Sequence, residues 1–276
     1  MTEIIDTVDY VGGRTRLYGI VGHPIEQVRS PEMFTAEFRK REHDAILVPL
    51  HVLPVEFEAT LPALMRLRNL DGLVFTIPYK VRACALADEL GAQARRVGAI
   101  NALARGGDGR WRGEIFDGLG CVEAFRRRGI ALAGRRIVQV GAGGAGAAVG
   151  VAMAGQRPRS MRVHDLDRAR AEGLVERIRA VDASIDVAVG PPSIDEADVL
   201  LNVSPVGMLD DPRLPVDVEA LPSRLVVFDA VVKPDRTPLI ELAAACGCET
   251  VIGREMMRGQ VSRMADYFLA GGDPAG

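Results

Sequence analysis

Short runs of β-branched and apolar residues alternate with helical patterns along almost the whole chain. This alternation is typical of parallel α/β architecture. In the first part of the chain, strands are predicted at 16–22, 45–52, 72–78, 99–105 and 111–116. Helices are predicted between them at about 31–42 and 55–67. Pro31 follows Ser30 directly, a pattern that favours Ser30 as the cap of the first helix.

A second α/β series begins at about residue 135. Its strands are predicted at 135–140, 160–165, 185–190, 198–203, 224–229 and 250–253. The tail 254–270 has apolar residues at helical spacing, Met257, Val261, Met264 and Phe268. We therefore predict an α/β protein with an N-terminal substrate-binding domain, 1–117, onto which a C-terminal helix, 254–276, packs back. The second domain, 118–253, is predicted to be a doubly wound Rossmann domain that binds a nucleotide.

Composition narrows the class of protein. Apolar residues make up 48% of the 276 positions and charged residues 26%, which is ordinary for a globular enzyme. The net charge of −3 without a basic block argues against nucleic-acid binding. The most apolar stretch, 137–155, consists mainly of Gly and Ala and is a poor candidate for a membrane span.

The N-terminus and the cysteines indicate a compartment. Residues 1–13 are acidic, unlike a signal peptide. The four cysteines are scattered and have neither disulfide nor metal-site spacing, which fits a reducing environment. We expect a cytoplasmic protein that contacts no membrane and holds no metal.

A glycine-rich turn stands between the predicted strand 135–140 and a helix. It contains Gly141, Gly143 and Gly146, with Ala142, Gly144 and Ala145 between them. In a dinucleotide site these glycines permit a tight turn, close approach of the pyrophosphate and close helix packing. The alternative is a small-residue helix that packs on a sheet. The strand–turn–helix context favours the cofactor site.

Asp165 ends the next predicted strand, 24 residues after Gly141. A carboxylate there accepts hydrogen bonds from ribose hydroxyls and repels a 2′-phosphate, which favours NAD over NADP. Asp165 could instead cap the following helix, although Asp167 competes for that position. Three arginines nearby could bind a phosphate: Arg162, Arg168 and Arg170.

Lysine is scarce in this chain. Of its 34 basic residues only Lys40, Lys80 and Lys233 are lysines, and the others are arginines. A genome biased toward arginine codons would explain this preference. Lys80 lies just after a Thr-x-Pro strand end, where α/β proteins often place functional side chains. A lysine can release its proton in a suitable site, whereas an arginine stays charged. An isolated lysine is otherwise more often a solvated surface residue.

Five further motifs, in order along nearly the whole chain, resemble those of the shikimate dehydrogenase family. They are FTIPYK at 75–80, VGAINAL at 97–103, GEIFDGLG at 113–120, SPVGM at 204–208 and GREMMRGQ at 253–260. The resemblance implies an NAD-dependent dehydrogenase that oxidises a ring hydroxyl of shikimate, quinate or a close analogue to the 3-dehydro ketone. Its partner would be a hydroxylated cyclohexane or cyclohexene carboxylate, and the enzyme would be a monomer or a homodimer.

The resemblance also implies roles for single residues. Lys80 would transfer the proton, and Asp117 would orient the reacting hydroxyl against it. The substrate would be bound by Ser30 at its carboxylate and by Thr76, Asn101 and Gln260 at its hydroxyls, and Ser204 and Pro205 would contact the cofactor. Simpler roles exist: Ser30 and Asp117 as helix caps, Asn101 as a turn residue and Gln260 as a solvated helix position.

The chain departs from the family pattern at three sites, which comprise four residues. Val28 stands where the family usually has the first serine of Ser-x-Ser-Pro, Ile115-Phe116 replaces Asn-Thr, and Val232 replaces a tyrosine. We expect these changes to remove polar groups from the pocket. The change at Ile115-Phe116 favours, as an alternative, a dehydrogenase of a secondary pathway with a less polar or amino-substituted ring acid. A further alternative is an NAD-binding regulator without turnover, although Lys80 and Asp117 argue against it.

Overall fold

The computed structural model describes residues 11–273 and contains two sheets with helices on their faces. Residues 1–10 and 274–276, which the predicted domain limits and the N-terminal prediction include, lie outside the described part. The protein is an α/β protein, as predicted. Within residues 11–273, none of the helices combines the length and the apolar composition that crossing a bilayer requires.

The first sheet is mixed. Its strands are β1 Arg16–Gly22, β2 Ala45–His51, β3 Leu70–Phe75, β4 Glu89–Leu90, β5 Ala102–Arg105 and β6 Trp111–Glu114, in the order β2-β1-β3-β5-β6-β4. The pairs β1–β2 and β1–β3 are parallel, whereas β5 pairs antiparallel with both β3 and β6. Its helices are α1 Ser30–Lys40, α2 Phe57–Leu64 and α3 Ala92–Val97.

The second sheet is entirely parallel. Its strands are β7 Arg136–Val140, β8 Ser160–His164, β9 Asp186–Val189, β10 Val199–Asn202, β11 Val226–Asp229 and β12 Glu249–Ile252. The order β12-β11-β10-β7-β8-β9 reverses direction between β7 and β10, as in a doubly wound nucleotide-binding sheet. The helices of this part are α5 Gly144–Ala154, α6 Arg168–Val181 and α7 Pro238–Ala245.

Two helices join the halves. Helix α4, Asp117–Arg127, follows the first sheet, and α8, Gly253–Leu269, follows the second and packs on α4, α1 and β5. Glycines permit the close crossing of α4 and α8: a Cβ at Gly120 would lie 2.6 Å from the Met256 carbonyl oxygen. Helix α8 thus returns to the first sheet, and the exact domain limits stay a prediction.

The hydrophobic pattern predicted most strands, but it did not predict the elements of one region. Residues 82–97 contain a 3₁₀ turn at Arg82–Leu86, the short strand β4 and helix α3, none of which the sequence analysis predicts. These elements are only two to six residues long, and hydrophobic periodicity needs a longer window to register.

Candidate active site

A cleft lies between the two sheets, at the carboxyl ends of their strands. It encloses about 160 Å³ and is lined from the first sheet by Thr76 and Lys80, from the second by Ser204, and from α8 by Gln260. A cavity of roughly 150 Å³ is large enough for a six-membered ring. In open α/β sheets this edge is the usual place for a ligand.

Lys80 and Asp117 meet inside the cleft. Lys80 Nζ donates a hydrogen bond of 2.6 Å to Asp117 Oδ2, and the two side chains are 14% and 5% exposed. The Lys80 carbonyl oxygen accepts from Ile100 N at 2.8 Å, which ties its backbone to the start of the hairpin β5–β6. Lys80 is therefore not the solvated surface residue that an isolated lysine usually is.

Asp117 is not the cap of its helix. Helix α4 begins at Asp117, and Phe116 occupies the N-cap position with φ −115°. The carboxylate lies in the first turn, where the partial positive charge of the helix N-terminus favours an anion. The side chain therefore faces Lys80 instead of capping the helix.

Asn101 and Gln260 form a buried polar pair on the other side of the cleft. Asn101 Nδ2 donates to Gln260 Oε1 at 3.3 Å, and Asn101 Oδ1 accepts from Phe116 N at 2.9 Å. Asn101 is only 3% exposed and Gln260 9%. The simpler expectations, a turn residue and a solvated helix position, were wrong. The pair connects α8 to the segment that carries Asp117.

Ser30 lies in the cleft together with Val28 and Arg29. The expectation that Ser30 caps α1 was wrong, because the helix starts at Ser30 itself and Arg29 is its N-cap residue. Ser30 is buried at this end of the cleft. Its hydroxyl is one donor for a ligand, and Val28 provides none.

Ile115 and Phe116 do not belong to the cleft, which corrects the expectation that they remove polar groups from it. Both border a separate cavity of about 480 Å³ behind β6. The Phe116 ring packs edge-on against Tyr267 at a centroid distance of 5.3 Å. Burial raises the pKa of the Tyr267 hydroxyl above its usual range. Of the three departures from the family pattern, Val28 and Val232 line the cleft.

The glycine turn lies directly against Lys80. Gly141 has φ +101°, and a Cβ there would lie 2.6 Å from the Val203 carbonyl oxygen. A Cβ at Gly144 would lie 2.8 Å from Lys80 Cβ. The start of α5 and Lys80 are thus in van der Waals contact, so a group bound at the turn would adjoin the lysine.

Gln139 stabilises this turn, a role that was not predicted from the sequence. Its side chain, fully buried in β7, donates to the carbonyl oxygens of Gly141 at 2.9 Å and Gly146 at 2.7 Å. The signal was a polar residue between two valines in the strand RIVQV. Gln139 therefore holds the backbone of the turn in the shape that the glycines permit.

The turn fits the pyrophosphate of a dinucleotide. Within the described residues, a Cβ placed at Gly143 would have no heavy atom within 4 Å, so the space beside it is open. The N–H groups in the first turn of α5 point toward that space without intrahelical partners, as at any helix start. A phosphate group and the turn are complementary in both shape and charge.

Asp165 directly follows β8 and contacts the turn. Its Oδ2 accepts from Ala142 N at 2.7 Å and its Oδ1 from Asp167 N at 2.8 Å. Asp167 caps α6 by accepting from Ala169 N and Arg170 N. Asp165 is therefore not the helix cap and lies where a ribose would be bound.

The arginines near Asp165 already have carboxylate partners. Arg162 pairs with Asp186 at 2.6 Å, Arg168 with Glu172 at 2.8 Å and Arg170 with Asp167 at 3.2 Å. A 2′-phosphate would have to displace one of these partners, and it would also face Asp165.

A buried polar network supports the loop that carries Ser204 and Pro205, both of which line the cleft. Ser204 Oγ donates to Asn202 Oδ1 at 2.6 Å, and Asn202 Nδ2 donates to Asp229 Oδ1 at 3.0 Å. Thr237 Oγ1 donates to Asp229 Oδ2 at 2.6 Å. Burial raises the pKa of Asp229 to about 6, although these donors partly oppose the shift. The sequence analysis missed this network.

No metal centre accompanies the cleft: within residues 11–273, no group of three or more His, Cys, Asp or Glu side chains is arranged to hold an ion.

Comparison with known proteins gives a consistent result. Residues 20–103 match the family model for the shikimate dehydrogenase substrate binding domain. The shikimate dehydrogenase (NADP(+)) of Rubrobacter xylanophilus is 35% identical over 255 residues, which cover 91% of this chain and 89% of that protein.

Solved structures of similar fold include a shikimate dehydrogenase and a quinate dehydrogenase. Shikimate 5-dehydrogenase from Listeria monocytogenes, in complex with shikimate and NAD, has a TM-score of 0.81 at 26% identity, covering 95% of this chain and 94% of that one. Quinate dehydrogenase from Corynebacterium glutamicum, in complex with NAD, has a TM-score of 0.74 at 28% identity, covering 93% and 99%.

Proposed function

The chain belongs to the shikimate dehydrogenase family, NAD(P)-dependent oxidoreductases that act on CH–OH groups, and from that premise we propose a reaction. The enzyme reversibly oxidises a ring hydroxyl of shikimate, quinate or a close analogue to the 3-dehydro ketone, with NAD as cofactor. The observation that carries the proposal is the Lys80–Asp117 pair, buried in a ring-sized cleft against the glycine turn.

Lys80 and Asp117 handle the proton of the reacting hydroxyl. In oxidation, Lys80 takes this proton as the C–H bond of the same carbon breaks, and in reduction it returns the proton to the forming hydroxyl. Asp117 accepts a hydrogen bond from the hydroxyl and keeps Nζ beside it through the 2.6 Å contact. A bound nicotinamide supplies the hydride acceptor for this chemistry.

The remaining polar groups of the cleft orient the ring. Thr76, Asn101 and Gln260 hydrogen-bond the other hydroxyls, and Ser30 contributes a donor to the carboxylate. Asn101 and Gln260 are held by each other at 3.3 Å, so their positions are set before a ligand arrives. Such preorganisation reduces the entropy that binding costs.

The cofactor is bound by the turn Gly141–Gly146 (Gly141, Ala142, Gly143, Gly144, Ala145 and Gly146), by Asp165 and by the loop with Ser204 and Pro205. Asp165 supports NAD, because its carboxylate accepts from a ribose diol and repels a 2′-phosphate. The curated relatives carry NADP(+) in their names, so this preference distinguishes the chain from them.

A second candidate is a ring acid that is less polar or amino-substituted. The observation that favours it is the apolar end of the cleft, where Val28 and Val232 stand beside Met257. A regulator without turnover is disfavoured by the Lys80–Asp117 pair, which binding alone does not require. We further propose that the enzyme is cytoplasmic, since its four cysteines lie in the described part as free thiols.

Initial rates test the proposal. Purified enzyme is assayed with shikimate, quinate and amino-substituted analogues, each with NAD and with NADP at limiting concentration. We expect kcat/KM with NAD to exceed that with NADP by at least about ten-fold, and Asp165→Ser to narrow this ratio because the repelling charge is removed. Faster turnover with NADP would contradict the cofactor assignment, and failure to oxidise every ring acid would contradict the reaction.

A further inference from the structure

A second cavity adjoins the end of the cleft that Ser30 lines. It encloses about 180 Å³ and shares three lining residues with the cleft, Arg29, Val232 and Met257. We call it the side pocket; its other lining residues are Glu32, Met33, Asp235, Arg254 and Arg258. The small side chain of Val232 lines both spaces, so the two cavities are neighbours at this residue.

The side pocket is electropositive. It brings together three guanidinium groups, of Arg29, Arg254 and Arg258, and two carboxylates, of Glu32 and Asp235. Arg254 is engaged in an ion pair with Asp235. Arg29 lies 3.3 Å from Glu32, but both side chains are largely exposed, at 43% and 65%, which makes this contact weak and easily exchanged.

Arg258 is the exception among these cations. It lies one helical turn after Arg254 on α8, and within residues 11–273 no carboxylate stands within ion-pair distance of it. The charge left over in the side pocket is therefore positive and belongs to Arg258, with Arg29 the next most available guanidinium.

The adjoining end of the cleft has few donors for an anion. Ser30 offers one hydroxyl and Arg29 a guanidinium, whereas Val28 and Val232 are apolar. A carboxylate needs several donors when it leaves water, and a guanidinium supplies two parallel N–H groups in one plane. The side pocket adds a further guanidinium group, that of Arg258, to these donors.

We propose that the side pocket is the anion subsite of this enzyme: Arg258 and Arg29 bind the carboxylate of the substrate, or of an arm that carries it past Val232, with Ser30 completing the set. This inference rests on the proposed function, because it concerns the acid that is oxidised beside Lys80. It assigns specificity to residues of α8 and of the loop before α1.

The first test compares an acid with its neutral counterpart. Rates are measured with quinate and with its carboxamide for the wild type, Arg258→Gln and Arg29→Gln. We expect the preference for quinate, as a ratio of kcat/KM values, to fall at least about ten-fold in Arg258→Gln, mainly through KM for quinate. Arg263→Gln is the matched control, since Arg263 lies on the same helix but borders the other cavity.

A preference that stays unchanged in Arg258→Gln would overturn the anion subsite while leaving the proposed function intact. If the wild type oxidises no ring acid, the proposed function fails and the subsite is decided by binding of inorganic phosphate. The methionine methyl NMR signals of Met33 and Met257, which line the side pocket, are followed with saturating NAD present. Phosphate should shift both signals in the wild type and not in Arg258→Gln; equal responses in the two proteins would refute the subsite.

Discussion

Lys80 occupies the cleft of a chain that otherwise uses arginine for nearly all its positive charge. Lys40 lies on the exposed face of α1 beside Glu37, and Lys233 donates to a backbone oxygen of Glu26. An arginine could replace either without loss of charge. At Lys80 it could hold the same charge beside Asp117, but it could not transfer a proton at neutral pH.

Asp117 offers the first prediction at this scale. Asp117→Asn should lower kcat by about 10²-fold or more with a smaller change in KM. The neutral amide has one acceptor oxygen and no charge, so it cannot both bind Lys80 Nζ and accept a strong hydrogen bond from the reacting hydroxyl. Steady-state rates with quinate and NAD check this. Glu123→Gln, on the same helix but outside the cleft, is the control and should retain the wild-type rate.

Lys80 and Asp117 were predicted as site residues, and the structure brings them together in the cleft, whereas Ser30 and Asp117 are not the helix caps that the pattern suggested. Ser30 and Asp117 were both candidates for caps because they precede helical patterns, yet each helix begins one residue earlier than the pattern suggests. Capping depends on the backbone dihedrals of one residue, which a hydrophobic pattern does not determine. The roles of Gln139 and Asn202 were missed because the partners of these buried side chains are set by the folded structure and not by the hydrophobic pattern.

At the scale of elements, glycines of the turn serve two different purposes: Gly143 leaves space for a ligand, and Gly146 permits close packing of the backbone. Gly143→Ala should leave stability unchanged and raise the Kd for NAD at least about ten-fold, because the space beside Gly143 is open in the protein and needed for the pyrophosphate. Gly146→Ala should destabilise the fold by about 1–3 kcal/mol, because its Cβ would overlap the Gly141 carbonyl oxygen.

Thermal unfolding and NAD titration of both variants check this pair of outcomes. Gly107→Ala is the control, since Gly107 also has open space around it but lies in the β5–β6 turn. Equal loss of stability in Gly143→Ala and Gly146→Ala would contradict the distinct roles.

The network between β10, β11 and α7 makes stability depend on pH. The pKa of Asp229 is raised by burial from 3.8 to about 6, so between these values the folded protein retains a proton that the unfolded chain has lost. Stability from this group is therefore fully present below about pH 4 and is lost as pH rises through 6, by up to roughly 3 kcal/mol.

Urea unfolding of the wild type and Asp229→Asn at about pH 4 and pH 7 isolates this contribution, because other groups titrate alike in both proteins. The stability of the wild type relative to the variant should fall as the pH rises. A difference that does not change with pH would show that Asp229 ionises in the fold as it does in water.

The long elements could be predicted from periodicity and the short ones could not. All strands of the second sheet were located within two residues. The central strands β10 and β11 are mostly apolar runs buried on both faces, as is usual in parallel sheets, whereas β8 buries alternate residues. The two strands of the hairpin β5–β6 were also predicted, at 99–105 and 111–116. The elements between β3 and β5 are too short to give a hydrophobic pattern.

At the scale of the whole molecule, the cleft gathers side chains from segments that are far apart in sequence. Asn101 and Gln260, 159 residues apart, meet because α8 returns across α4 to the first sheet. No local pattern predicts that meeting, and the ordered family motifs alone indicated it. They misplaced Ile115-Phe116, both of which border the cavity behind β6 and not the cleft. Phe116 packs there against Tyr267 of α8, a contact between distant segments that no local motif shows.

The central claim is that this enzyme is a dehydrogenase whose proton passes through Lys80, and one substitution tests it most directly. Oxidation of quinate and shikimate with NAD is measured for Lys80→Arg, with Lys40→Arg as the same exchange at an exposed site. We predict that Lys80→Arg lowers kcat by about 10²–10⁴-fold with an unchanged Kd for NAD, and that Lys40→Arg behaves as the wild type. Wild-type turnover in Lys80→Arg would contradict the claim.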